Sequence, residues 1–438
     1  MTGQLHVRLE CGWSGDPGAG LLTTVVGSIY AVAPGNPSKR QVALPLGWQV
    51  SPEIFDLPAG RYVVEAVLPS GRILSEDVEV LDGEDVVLQF DLTESPYESH
   101  MLQYVVGNIE PSAVYHSREK YPVPNSRGSR AFTGSDAPSG DAEIGQPGVD
   151  LAMLPRGETS PLPIAGLNGL LERSPRHAIE GVADLLRQPG PPISLHARFA
   201  DSFSPIFRFD ADTAGTISGF DWQAHRFQYL TAESPDKAYL VTLPWPWPDS
   251  GGGNIAVEVL LNLRQSPTGS AVSVAVRDPV VGGGLGYLSA GSLHRAAVVL
   301  TNVEAMLQGK VRNPLAAAAG GYVLIGTETK GEQQLWDHWL GNLKDWFPDL
   351  SDGAILWGAR RLRTARDQTH VNDARLALLE GYQRGLPVYT LGLTWLIDGL
   401  SAFPEDPECA AALQQVRQLC WRVDMREPFV VLRLGENR

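Results

Sequence analysis

The chain has 438 residues, a formal net charge of -15 and a sequence pI near 5.1, so its field repels phosphate backbones and nonspecific nucleic-acid binding would gain no counterion release. At roughly 150 residues per domain the length calls for about three units. A hydrophobic fraction of 43% gives each of them enough apolar residues for a core and rules out a wholly disordered chain.

The N-terminus, MTGQLHVRLE, lacks a basic start followed by an apolar run, and no stretch reaches the roughly 18 uninterrupted apolar residues of a membrane span. Membrane insertion and secretion are therefore disfavoured and a cytoplasmic location is expected. Residues 1–95 read as a β-sandwich. The clearest part is RYVVEAVL, RILSEDVEVL and EDVVLQFDL, short alternating segments rich in Val. Pro69-Ser70-Gly71 and Asp82-Gly83 separate them, each with a glycine for positive φ, which predicts an antiparallel meander. The string DLPAGRYVVEAVLPSGRILSEDVEVLDGEDVVLQFDL, Asp56 to Leu92, resembles the small β-sandwich repeats related to carboxypeptidase regulatory domains and PEGA-type modules. That resemblance implies a stabilising or binding module and carries no chemistry.

Residues 96–190 form a linker with short helices. Pro, Ser, Gly and Asp dominate from Asn108 to about Leu162, so exposure is expected there, and Arg118, Lys120, Arg127, Arg130 and Arg156 are candidate cleavage sites for a basic-specific protease. RHAIEGVADLLRQ then spaces Ile179, Val182, Leu185 and Leu186 for a helix ended by Pro-Gly-Pro-Pro.

Residues 191–291 read as a second β-rich domain, with AYLVTLPW, NIAVEVLLNLR and AVSVAVRD as strands and Gly282-Gly283-Gly284-Leu285-Gly286 as a flexible β-loop. Asp210, Asp212, Gly215, Ile217 and Asp221 match five of six positions of a calcium loop, but Ala214 fails the fifth ligand position. A plain turn with aspartates bonding their own backbone is the favoured reading of that loop. Pro244-Trp245-Pro246-Trp247-Pro248 fixes an extended segment that presents Trp245 and Trp247 either to a partner or to the underlying sheet.

From residue 292 to 438 the period becomes helical. Asn313 caps a helix beginning at Pro314; Trp336, Trp339, Leu340, Leu343, Trp346 and Phe347 lie along one stripe; further helices start near Ala354, Asp373, Val388 and Pro407. PFVVLRL closes the chain as a strand or a packed tail. Arg360, Arg361 and Arg363 read as a solvated face. The fold class is thus a multi-domain α+β protein: N-terminal β-sandwich, central β-rich domain, C-terminal α-helical domain. Within the last, NPLAAAAGGYVLIG, LWDHWLGNLKDWFPDLSDGAILWGARRL and LEGYQRGLPVYTLGLTWLIDGL, from Val311 to Phe403, resemble uncharacterised bacterial proteins associated with caspase-like and CHAT-type peptidases in defence-type systems. The resemblance implies a protein partner of that kind and no functional residue.

No catalytic constellation is assembled along the sequence, and no cofactor site is read beyond the weak calcium loop. Cys409 and Cys420 fall in a probable helix as small core residues, Cys11 has only His6 nearby, and an odd count of three cysteines builds neither a disulfide framework nor a zinc site. No Gly-x-Ser-x-Gly elbow occurs, and the Gly282–Gly286 stretch lacks the lysine of a P-loop. Asp337 and His338 are adjacent, and adjacent helical residues diverge by about 100°, so they do not form an acid–base pair. The expected activity is non-catalytic protein binding; a hydrolase site assembled only in three dimensions, or a weak calcium-dependent binding module, is the alternative.

Overall fold

The structure, a computed structural model, describes residues 2–11, 21–32, 39–92, 101–108, 150–154, 162–186, 193–194, 206–209, 228–233, 237–248, 253–261, 270–300, 302–329 and 334–435. It is a multi-domain α+β protein with an N-terminal β-rich region, central strands and a helical C-terminal region. The chain divides into two compact units, each made of two stretches: Met1–Ile144 with Arg277–Thr301, and Gly145–Val276 with Asn302–Arg438.

The first unit is built on β1 (Thr2–Cys11), β2 (Leu21–Ala31), β3 (Lys39–Gly47), β4 (Glu53–Pro58), β5 (Gly60–Val67), β6 (Ile73–Val80) and β7 (Asp85–Leu92). They form one sheet in the order β4-β1-β3-β2-β5-β6, with β7 on β1. Side chains alternate across a strand, and on β1 this buries Leu5, Val7 and Leu9 while the residues between them keep contact with water. Gly71, at φ +86°, makes the turn that lets β5 and β6 pair antiparallel from Gly60↔Val80 to Val67↔Ile73.

The second turn forms at Asp82-Gly83, with Gly83 at φ +70°, but it does not make a hairpin. Its own backbone bonds to the start of β1, through Gly83 N to Thr2 O at 3.2 Å and Gln4 N to Glu84 O at 2.9 Å. Those bonds turn the chain away from β6, and β7 runs parallel to β1 from Gln4↔Asp85 to Cys11↔Leu92. The meander expected from the sequence therefore stops after β6.

A second correction concerns the glycine-rich stretch, which is a helix, Val281–Ser289, followed by another, Leu293–Val299. Glycine disfavours a helix by about 1 kcal/mol per residue, so packing must stabilise this one. Gly283 lies so close to the β2 backbone that a Cβ there would collide with the Thr24 carbonyl. Tyr287, 1% exposed, donates its hydroxyl proton to Val67 O and accepts from Val26 N at 2.9 Å, which ties the helix to β5 and β2.

The second unit holds β8 (Asp150–Leu154), β9 (Ile193–Ser194), β10 (Ile206–Phe209), β11 (Gln228–Glu233), β12 (Ala238–Leu243), β13 (Trp247–Pro248), β14 (Asn254–Ile255), β15 (Val257–Leu261), β16 (Val272–Val276) and β17 (Val431–Leu434). They assemble as β17-β12-β11-β8-β9, β10-β15-β16 and β13-β14. Every residue of β12, β15 and β16 is buried, which explains why they are apolar but for Thr242, Glu258 and Ser273. The final apolar run returns as β17, paired antiparallel to β12.

The helices of this unit follow the sequence signals closely. Pro314–Thr327 starts at its proline, with Asn313 Oδ1 accepting from Ala316 N at 2.9 Å. Asp337–Trp346 buries Leu340 and Leu343. Ser351–Arg363, Gln368–Gln383, Thr390–Ser401 and Pro407–Cys420 follow. Gln368–Gln383 starts five residues before Asp373, because Asp367 caps it there, its Oδ1 accepting from His370 N at 2.9 Å.

Candidate functional site

A fully buried polar centre of the second unit is Asp352, in the first turn of Ser351–Arg363 and 0% exposed. Its carboxylate accepts from Tyr322 Oη at 2.7 Å, Val388 N at 2.7 Å and Tyr389 N at 3.3 Å. One side chain thus joins two helices to the segment leading into a third. Burial pushes its pKa up to about 6 although all three donors pull it down. Around it Tyr322 stands edge-on to Trp395 at 5.0 Å and to Tyr389 at 5.8 Å, and Tyr389 Oη donates to Leu315 O at 2.8 Å. Burial holds both phenols well above the ordinary tyrosine pKa, so they act as neutral donors.

A second buried carboxylate, Glu427, accepts from Ser273 Oγ at 2.7 Å and Val274 N at 3.1 Å, fastening the C-terminal segment to β16. Burial raises it to about 7. Arg360 corrects the expectation of a solvated basic face: it is 1% exposed. Its guanidinium pairs with Asp337 at 2.6 Å and Glu328 at 3.3 Å and lies 4.5 Å from the Trp336 ring centre. Arg361 pairs with Asp373 at 2.8 Å, and Arg363 donates to the Ile325 carbonyl. Arg361 leaves the helix about 100° away from Arg360, whereas Arg363, three residues on, shares the side of Arg360 and bonds beside it at the end of Pro314–Thr327.

Asp337 faces Arg360, while the His338 ring lies against Trp339 at 5.1 Å, so the adjacent pair divides as helical geometry requires. The three cysteines are free thiols. Burial raises Cys11 to about 12 and Cys409 and Cys420 to about 11, which keeps them protonated and poorly nucleophilic. Among the described residues no group of three or more His, Cys, Asp or Glu converges to hold a metal ion, and no helix is long and apolar enough to cross a membrane.

Trp245 and Trp247 are 1% and 0% exposed. The segment passes through a cis Trp245–Pro246 peptide, and Trp245 lies 5.6 Å from Phe209. Both indoles are therefore core, on the sheet-facing side of the two arrangements the sequence allows, and they present no face to a partner. Asp210, Asp212 and Asp221 lie outside the described residues, as do Arg118, Lys120, Arg127, Arg130 and Arg156.

The surface of the second unit also carries a mainly apolar cavity. A cavity of about 470 Å³ opens between the ends of Thr390–Ser401 and Pro407–Cys420, lined by Leu400, Phe403, Pro404, Ala410, Leu413 and Arg417 among others. Arg417 is its one ionisable group. Ala410, Leu413 and Arg417 are spaced along one face of the helix, and Trp421, 88% exposed, continues that spacing just past its end. This groove has no mark in the sequence, since an indole that continues a helical stripe reads as core. Asp352 and Glu427 were equally hidden, because their partners lie 30 to 154 residues away.

The class defined by these observations is an α+β protein whose buried ionisable groups are committed to holding the chain together. Residues 283–431 match the family model described as the Y4kD C-terminal domain, a segment that includes the Val311–Phe403 stretch and covers about a third of the chain. No curated protein and no solved structure matches the chain.

Proposed function

We propose that this protein is a non-catalytic adaptor that works in the cytoplasm as the partner or proteolytic substrate of a caspase-like peptidase in a bacterial defence-type system. The observation that carries the reading is the groove of the second unit, apolar and all but uncharged, with Trp421 exposed beside it. Large exposed aromatics are characteristic binding anchors. Further support comes from the chemistry of the buried groups: Asp352, Glu427 and Arg360 already bond to other parts of the chain, and the thiols are held protonated. In this reading the N-terminal region is a PEGA-like binding module.

Affinity purification of the intact chain from its native host, with mass spectrometry, tests the proposal. A caspase-like peptidase recovered with the native chain and lost with Trp421→Ser is the expected result. Recovery of no peptidase, or equal recovery with both chains, would overturn it. For the substrate form of the reading, co-incubation with that peptidase and intact-mass measurement should show a cut between Asn108 and Leu162, after one of the basic residues of that stretch.

A further inference from the structure

In the first unit the strand β6 closes one end of the sheet and, among the described residues, pairs on one side only, with β5. Eight residues long, with an unbroken register to β5, it contains no Pro and no Lys. Pro, Lys and register breaks are among the devices that usually blunt an edge; the charges this strand does carry, Glu76, Asp77 and Glu79, are all acidic and would repel an acidic strand while admitting a basic one. Among the described residues nothing hydrogen-bonds to its far side, and seven of its eight residues reach solvent, only Val80 being buried. The turn after it sends β7 to β1, so the neighbour that a hairpin would have supplied is missing.

The side chains say what kind of strand fits this edge. Ile73, Ser75, Asp77 and Glu79 are exposed on one face; on the other the partly buried Leu74 and Val78 flank the exposed Glu76. Between Ile73 and Leu92 there is no Lys or Arg, and the strand itself carries Glu76, Asp77 and Glu79. Directly opposed like charges destabilise a strand pair, so a second copy of this chain is a poor match. Opposite charges stabilise one, and apolar residues on the other face would cover Leu74 and Val78.

We propose that the open edge of β6 pairs with an extended segment of a partner protein that carries Lys or Arg at alternate positions and apolar residues between them. Main-chain hydrogen bonds hold such an added strand, and its alternating side chains select it. The inference rests on the reading of the chain as a binding protein but uses a surface separate from the groove and Trp421.

The test uses the full chain and an N-acetylated, fluorescein-labelled eight-residue peptide of alternating Lys and Val, followed by fluorescence anisotropy. A Glu-Val peptide and a Lys-Val peptide with alternate backbone amides N-methylated serve as comparisons. Binding of the first alone is expected, weakened about tenfold by the double substitution Asp77→Lys and Glu79→Lys. The pair Glu304→Lys and Asp398→Lys, which makes the same change in net charge on exposed helical positions, should weaken it less than twofold. Equal weakening by both pairs, equal binding of the N-methylated peptide, or no binding at all would overturn the proposal. Thermal unfolding of each variant confirms that the sheet is intact. A failed peptide test with Trp421-dependent capture of the peptidase preserved would remove the β6 edge and leave the adaptor reading standing.

Discussion

Asp352 is a carboxylate with no access to water, stabilised by one phenol and two amides from segments 30 to 37 residues away. Replacing it with Ala would leave the Tyr322 hydroxyl and the Val388 and Tyr389 amides without their acceptor. Asp352→Ala should therefore cost about 3 kcal/mol in urea unfolding, and Asp352→Asn, which keeps one acceptor oxygen, distinctly less. The two buried carboxylates also predict a pH dependence. Their folded-state pKa values, about 6 for Asp352 and about 7 for Glu427, lie above the ordinary 3.8 and 4.5. The native state then binds more protons than the unfolded state between these limits. Each contributes stability that is complete below about pH 4, falls as pH rises through the folded value, and is gone above about pH 8. The amplitude is on the order of 3 kcal/mol for each. Subtracting the curve of Asp352→Asn from that of the native chain should isolate the lower step; a difference that grows from pH 4 to pH 8 would contradict the assignment.

At the level of elements, local signals were readable and destinations were not. The alternation of β5, the Asn313 cap and the proline starts of Pro314–Thr327 and Pro407–Cys420 depend on neighbours within one turn or one strand, and each formed as expected. The Asp82-Gly83 turn also formed, but where β7 went was decided by Thr2 and Gln4, some 80 residues earlier. The helix Val281–Ser289 was invisible because three consecutive glycines argue against it, and only its docking on β2 repays them. Gly283→Ala should consequently destabilise the first unit by about 1–3 kcal/mol through overpacking against the Thr24 carbonyl. At Gly309, where a Cβ would meet nothing within 4 Å, the same substitution should leave thermal unfolding nearly unchanged. The groove beside Trp421 could not be anticipated either, since its two walls come from different helices.

On the scale of the whole molecule, the match at 283–431 does not coincide with a unit, for the residues up to Thr301 belong with the N-terminal strands and the remainder with the second unit. The tyrosine clasp of Val281–Ser289 on β2 and β5 gives this interleaving a consequence for any peptidase that severs the chain between Asn108 and Leu162. Such a cut leaves the N-terminal fragment still grasping helices that are covalently part of the other fragment. The nicked protein should elute as a single species in native gel filtration and come apart only in denaturant. Proteolysis here would then announce itself through two new chain ends, with no fragment set free to diffuse away.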